Sequence, residues 1–146
     1  MAGMIFAIIS GLFGCGGGTK KPVASVEAVT LTVRGMRGGF VYKFEAEDDR
    51  SVLLYYREVY AGEKNELVLE GSAPCGADRM TELMNSCGVI RWDGFHGKHP
   101  KNVRDGIMFT FTATVNGELT IRAEGSENFP SGYREFVQAL NSMLKN

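Results

Sequence analysis

The sequence predicts an α+β domain of two layers: an antiparallel sheet of about six strands with two helices packed on one face, in the order β-β-β-β-α-β-β-α. Three observations lead there. Apolar residues alternate with period two through four short segments between Ser25 and Gly71, each ended by a turn cluster. A second pair of alternating segments flanks Asn116-Gly117, a dipeptide suited to the two positive φ values of a type I′ hairpin turn. Two segments carry apolar residues at helical spacing instead, one between the strand groups and one at the C-terminus.

In "VEAVTLTVRG", Val29, Leu31 and Val33 share one face, with Thr30, Thr32 and Arg34 on the other. "MRGG" turns the chain, and "FVYKFEAE" follows with Phe40, Tyr42 and Phe44 aligned. "SVLLYYREVY" is rich in aromatic and branched residues, but its doubly apolar centre blurs which face is inward. "AGEKN" turns again, and "ELVLEG" is a fourth strand, so these four read as an antiparallel meander. Met80, Leu83, Met84 and Cys87 then make one helical stripe, read as core, between Pro74 and Gly88. In the hairpin, Ile107, Phe109, Phe111, Ala113 and Val115 face one side and a ladder of threonines the other, which predicts one solvated face. In the last helix Ser131 is the expected N-cap, and Tyr133, Phe136, Val137, Leu140, Met143 and Leu144 form its apolar stripe.

Composition bounds what such a domain does. Hydrophobic residues make up 44% and charged residues 23%, the balance of an ordinary globular chain rather than a disordered one. Sixteen basic and 17 acidic side chains give a formal net charge of -1, without the basic footprint of a nucleic-acid binder. The three cysteines, Cys15, Cys75 and Cys87, form no CxxC pair. A helix between Cys75 and Cys87 would separate their Cα atoms by ~18 Å, and a disulfide needs less than ~7 Å. Two unpaired thiols are expected there. "GCGGGTK" lacks the GxxxxGK[ST] spacing that cradles phosphate, and no other cofactor motif appears.

The N-terminus divides into an apolar segment (1–15), a Gly/Lys tether (16–24) and the domain itself (25–146). Met4 to Phe13 is too short for a membrane-spanning helix but has the length of a signal-peptide h-region. With Leu12 and Gly14 before Cys15, it resembles the lipobox of bacterial lipoproteins. That resemblance implies a lipid on Cys15, a membrane anchor, and a domain held at the cell envelope outside the cytoplasm. No Lys or Arg precedes Lys20, and Phe13 is bulky for its place. The alternative is a cytoplasmic protein with an apolar N-terminal peptide.

"RWDGFHGKHPKNVRDG" (91–106) concentrates the residues that suggest chemistry. His96 and His99 stand at H-x-x-H spacing with Asp93 before them and Asp105 after, a set that would approach a zinc-type ion if the loop gathered it. Gly97 and Pro100 deny that set a helical frame. There is no GxSxG, and neither Cys75 nor Cys87 has a His-containing nucleophile motif beside it.

The structural reading of the same stretch is a junction. Trp92 and Phe95 flank Asp93-Gly94, whose carboxylate suits a turn. Asp105-Gly106 opens the hairpin, and Phe129-Pro130 leads into the last helix with Tyr133. These residues, with Phe109 and Gly125-Ser126, resemble a WDGF…DGxxF…GSxxFPxxY pattern. It marks a family of small bacterial domains without an assigned activity, several from gut Firmicutes and Bacteroidetes and some carried as lipoproteins. The resemblance covers about residues 89–144, and His96 and His99 lie outside its pattern. The expected function is therefore a non-enzymatic envelope domain binding a protein or small ligand through its sheet face, with a small-ligand or metal site at 93–105 as the alternative.

Overall fold

A computed structural model describes residues 21–36, 38–48, 50–104 and 106–145. Among the described residues seven strands form one sheet: β1 (Val26–Gly35), β2 (Gly38–Glu45), β3 (Val52–Ala61), β4 (Lys64–Pro74), β5 (His96–Gly97), β6 (Met108–Val115) and β7 (Leu119–Ser126). Helix α1 (Ala77–Ser86) and a 3-10 turn (Val89–Trp92) precede β5, and α2 (Tyr133–Leu144) closes the chain. The class is α+β. The sheet order is β4-β3-β2-β1-β6-β7-β5, so the first four strands are a meander and the hairpin docks on β1.

Alternation explains the layers. Val29 and Leu31 lie opposite Phe44 and Tyr42 on one side and Ala113 and Phe111 on the other. All are buried, and Met80 and Met84 of α1 and Phe136, Leu140 and Met143 of α2 bury against the same cluster. Apolar side chains of this size contribute roughly 1.5–3 kcal/mol each when fully buried, so this face holds the domain together. Thr110, Thr112, Arg122 and Glu124 alternate onto the other face and are exposed.

Three expectations are corrected. The sheet has seven strands rather than about six, and it is mixed. The additional strand is β5, two residues paired parallel with Glu124 and Gly125 of β7, and two residues carry no periodicity to read. Strand β4 runs well past "ELVLEG" at both ends, and its register with β3 shifts between Tyr55 and Tyr56. Ser131 does not cap α2. Gly132 is the N-cap, without a side-chain cap bond.

The reason for the last correction is steric. Gly132 has φ +90, and a Cβ there would stand 2.1 Å from the Cys87 carbonyl oxygen. The start of α2 thus presses on the end of α1, and only glycine fits between them. At the hairpin Asn116 and Gly117 take the two expected positive φ values, 53 and 90, but Val115 pairs with Leu119, so the loop is residues 116–118 rather than a two-residue type I′ turn. Asn116 Oδ1 also accepts the backbone N–H of Ala24 at 2.6 Å, fixing the entering chain to this turn.

Gly132→Ala is expected to destabilise the domain by roughly 3 kcal/mol, combining left-handed strain with a displaced backbone neighbour. Urea unfolding measures it. A loss under about 1 kcal/mol would mean that the two helices do not need this close approach.

Candidate functional site

Trp92 ends the 3-10 turn at 1% exposure, and its indole N–H donates to the Ser131 carbonyl at 2.9 Å. Its ring meets Phe111 and Phe136 edge-on, with centroids at 5.0 and 5.5 Å, and Tyr133 at 6.0 Å. Phe129 stacks on Tyr133 at 4.7 Å, at the first turn of α2, and Pro130 is buried with its carbonyl on the Tyr133 N–H. Phe95 and Phe129 both pack against Phe109. Aromatic pairs in these geometries add to the burial of the rings themselves.

The rest of the stretch lies along the edge of β7. Asp93 Oδ1 accepts the Arg122 N–H at 3.0 Å, and the Gly94 N–H donates to the Arg122 carbonyl at 2.8 Å. The Glu124 N–H donates to the Phe95 carbonyl at 3.0 Å. Asp93 thus binds a backbone N–H as a turn aspartate does, but on a strand 29 residues away. A Cβ at Gly106 would lie 2.1 Å from Glu127 Cγ, so that side chain would have to move to admit one. Asp105 lies outside the described residues.

The two histidines line one small cavity of about 250 Å³ together with Glu124 and Ser126. Their partners differ. His96 Nδ1 is 3.6 Å from Glu124 Oε1, with both side chains largely exposed. His99 Nε2 bonds the Val103 carbonyl, and its Nδ1 lies 2.7 Å from Ser126 Oγ. A ring nitrogen on a carbonyl carries the proton, so Nε2 donates to Val103, Nδ1 is shared with the serine hydroxyl, and both nitrogens are engaged. Among the described residues no group of three or more His, Cys, Asp or Glu side chains is placed to hold a metal.

A larger cavity opens on the helix-covered side of the sheet, about 620 Å³, between the first two turns of α2, the 127–130 turn and strands β1 and β2. Phe40, Tyr42, Phe129 and Tyr133 supply aromatic walls, and Glu127, Arg134 and Gln138 supply polar groups. Sequence reasoning missed it, because its walls come from segments that only the fold brings together. Tyr42 donates to Asn141 Oδ1 at 2.8 Å. Burial pushes the Tyr42 hydroxyl up to about 12, and burial raises Tyr133 also.

No protein-family model and no curated protein matches the chain.

A phenol raised by burial keeps its proton to higher pH in the folded chain than in the unfolded one. The stabilisation is full below pH 10.0, the ordinary tyrosine value, and is lost as pH climbs toward about 12 for Tyr42. Melting temperature followed by circular dichroism is expected to drop across this window, less steeply in Tyr42→Phe. Equal slopes in the two proteins would sink the assignment.

Proposed function

We propose that this chain is a non-enzymatic binding domain that meets a protein partner through the open face of its sheet, at the β3–β4 end. The observation that carries this reading is an apolar run on an edge strand. Leu67, Val68 and Leu69 are consecutive in β4, and Leu67 and Leu69 are 43% and 55% exposed. Strand β4 ends the sheet, so its outer edge pairs with no strand among the described residues. Exposed apolar patches and unpaired strand edges are costly in water and typical of protein contact sites.

The surroundings suit a protein interface. Leu69 lies opposite Tyr56, and Tyr56 opposite Val41, so the apolar row continues inward across three strands. Glu58, opposite Leu67, is held by Arg34 through two contacts of 3.1 and 3.2 Å, which neutralises its charge. The non-enzymatic part of the reading is supported by the thiols. Burial raises both Cys75 and Cys87, which keeps them protonated and poor nucleophiles at neutral pH.

The same reading holds the domain at the cell envelope by a lipid on Cys15, with a cytoplasmic location as the alternative. Its support is the apolar run ending in Leu12, Gly14 and Cys15. No helix among the described residues is long and apolar enough to cross a membrane. The chain enters the domain at Val23, where Asn85 binds both the N–H and the carbonyl at 2.9 Å. Val23 leads into β1, three places from β4 in the sheet order.

Two experiments test the two halves. A benzophenone side chain at position 69 is expected to crosslink a discrete partner in the producing cell, with loss of the adduct in Leu67→Glu; the same probe at Thr112 is expected to give none. Identical adducts from both positions, or no adduct from position 69, would remove the β3–β4 surface from the reading. Labelling with radioactive palmitate is expected to mark the wild-type chain and not Cys15→Ser. Label that persists in the variant, or is absent from both, ends the anchor.

A further inference from the structure

The cavity beside α2 lies on the helix-covered side of the sheet, away from the open face, and it is built unlike a packing defect. At about 620 Å³ it falls within the usual range of small-molecule sites. Its walls are aromatic, from Phe40, Tyr42, Phe129 and Tyr133, which suits a flat apolar body. Among the described residues the Tyr133 hydroxyl makes no hydrogen bond, so a donor remains at the wall.

The charges are the informative part. Arg134 lines the cavity and forms no ion pair among the described residues. Glu127 lines it as well, and only its Oε2 is committed, to the Ile107 N–H at 2.5 Å. Glu127 is held at φ 51, a left-handed backbone position that a glutamate rarely occupies and that costs free energy. A guanidinium and a carboxylate thus share one cavity without neutralising each other. Glu135 also lines it, and its charge is felt by the Cys87 thiol, on the α1 side of the helix start.

Each simpler ligand leaves a mismatch. An aromatic anion would meet Arg134 but also Glu127 and Glu135. An aromatic cation would meet the carboxylates but also Arg134. A neutral hydrocarbon would desolvate both signs without pairing either, which is unfavourable. From this complementarity we infer that the cavity binds a small zwitterion with an aromatic body, the class of the free aromatic amino acids, its carboxylate toward Arg134 and its ammonium toward Glu127. This site is independent of the protein-partner surface on the opposite face, so either reading stands if the other fails.

The test uses the full chain, with L-phenylalanine as probe and phenylacetate and phenethylamine as analogues that each lack one charge. Trp92, the chain's single tryptophan, lies 6.0 Å from the Tyr133 ring and reports by fluorescence, and amide NMR shifts locate the site. L-Phenylalanine is expected to saturate, with each analogue weaker by about tenfold or more. Arg134→Gln, an exposed position, is expected to weaken L-phenylalanine by about tenfold and to leave phenethylamine no weaker. Gln138→Phe, which narrows the mouth, is expected to weaken all three. Three outcomes would each overturn the inference: no saturation by L-phenylalanine up to roughly 10 mM, analogues as tight as the amino acid, or shifts that cluster on Thr110, Thr112 and Leu69 instead of the cavity.

Discussion

The hydrogen bond from the Trp92 indole to the Ser131 carbonyl joins two connections 39 residues apart, and the helix layer is organised around it. A buried indole N–H without a partner costs about 1–3 kcal/mol, so the ring enters the core only if that carbonyl is there to meet it. The carbonyl sits one residue before Gly132, whose backbone presses on the end of α1. The same short segment therefore meets Trp92 through Ser131, lies against the end of α1 through Gly132, and starts the helix that carries Tyr133 and Phe136. The aromatic cluster of Trp92, Phe111, Phe136, Tyr133, Phe109 and Phe129 follows from that placement. The cavity beside α2 is lined by the same loop, through Phe129 and Pro130, and by β1 and β2.

What was legible in the sequence was what repeats. Strands β6 and β7 alternate cleanly, because one face meets the helices and the other meets water, whereas β1 shifts register between Val26 and Ala28 and β2 buries the adjacent Val41 and Tyr42. β3 blurs for a physical reason. Leu53 is core, while Leu54 and Tyr56 on the other face are also half-buried, so both faces select apolar residues. β4 was underestimated because an edge strand, packed on one side only, tolerates Lys64, Asn65 and Glu66 within it. Ser131 illustrates a different failure. A capping preference is local, whereas the approach of Gly132 to Cys87 joins segments 45 residues apart in number and is invisible to any local rule.

In the stretch at 92–106 placement gives the polar side chains partners that residue type alone does not predict. Two histidines and an aspartate in a short loop suggest ligands, yet Asp93 is turned to the Arg122 N–H and His99 is engaged at both nitrogens. These bonds run to β7 or back into the loop itself. A loop that lies on a sheet edge must satisfy that edge's backbone groups, and polar side chains are the means. Asp93, Gly94 and Phe95 do this together with β5, so the loop closes the β7 edge.

That closure sharpens the meaning of the opposite edge. Sheets end in strands that invite further pairing, and natural proteins blunt them with coverage, charge or proline. Here one edge receives a parallel strand and a latch from the preceding loop. The other keeps eleven residues, guarded by Lys64 and Glu66 on one side of the Leu67–Leu69 run and by Glu70 and Pro74 on the other. Glu70 is itself drawn onto Arg57 at 2.5 Å, which turns its charge along the sheet. The guards limit how far an added strand extends, and the three apolar residues between them stay uncovered. Under the proposed reading, charged ends around an open apolar centre would restrict which partner fits there and in what register.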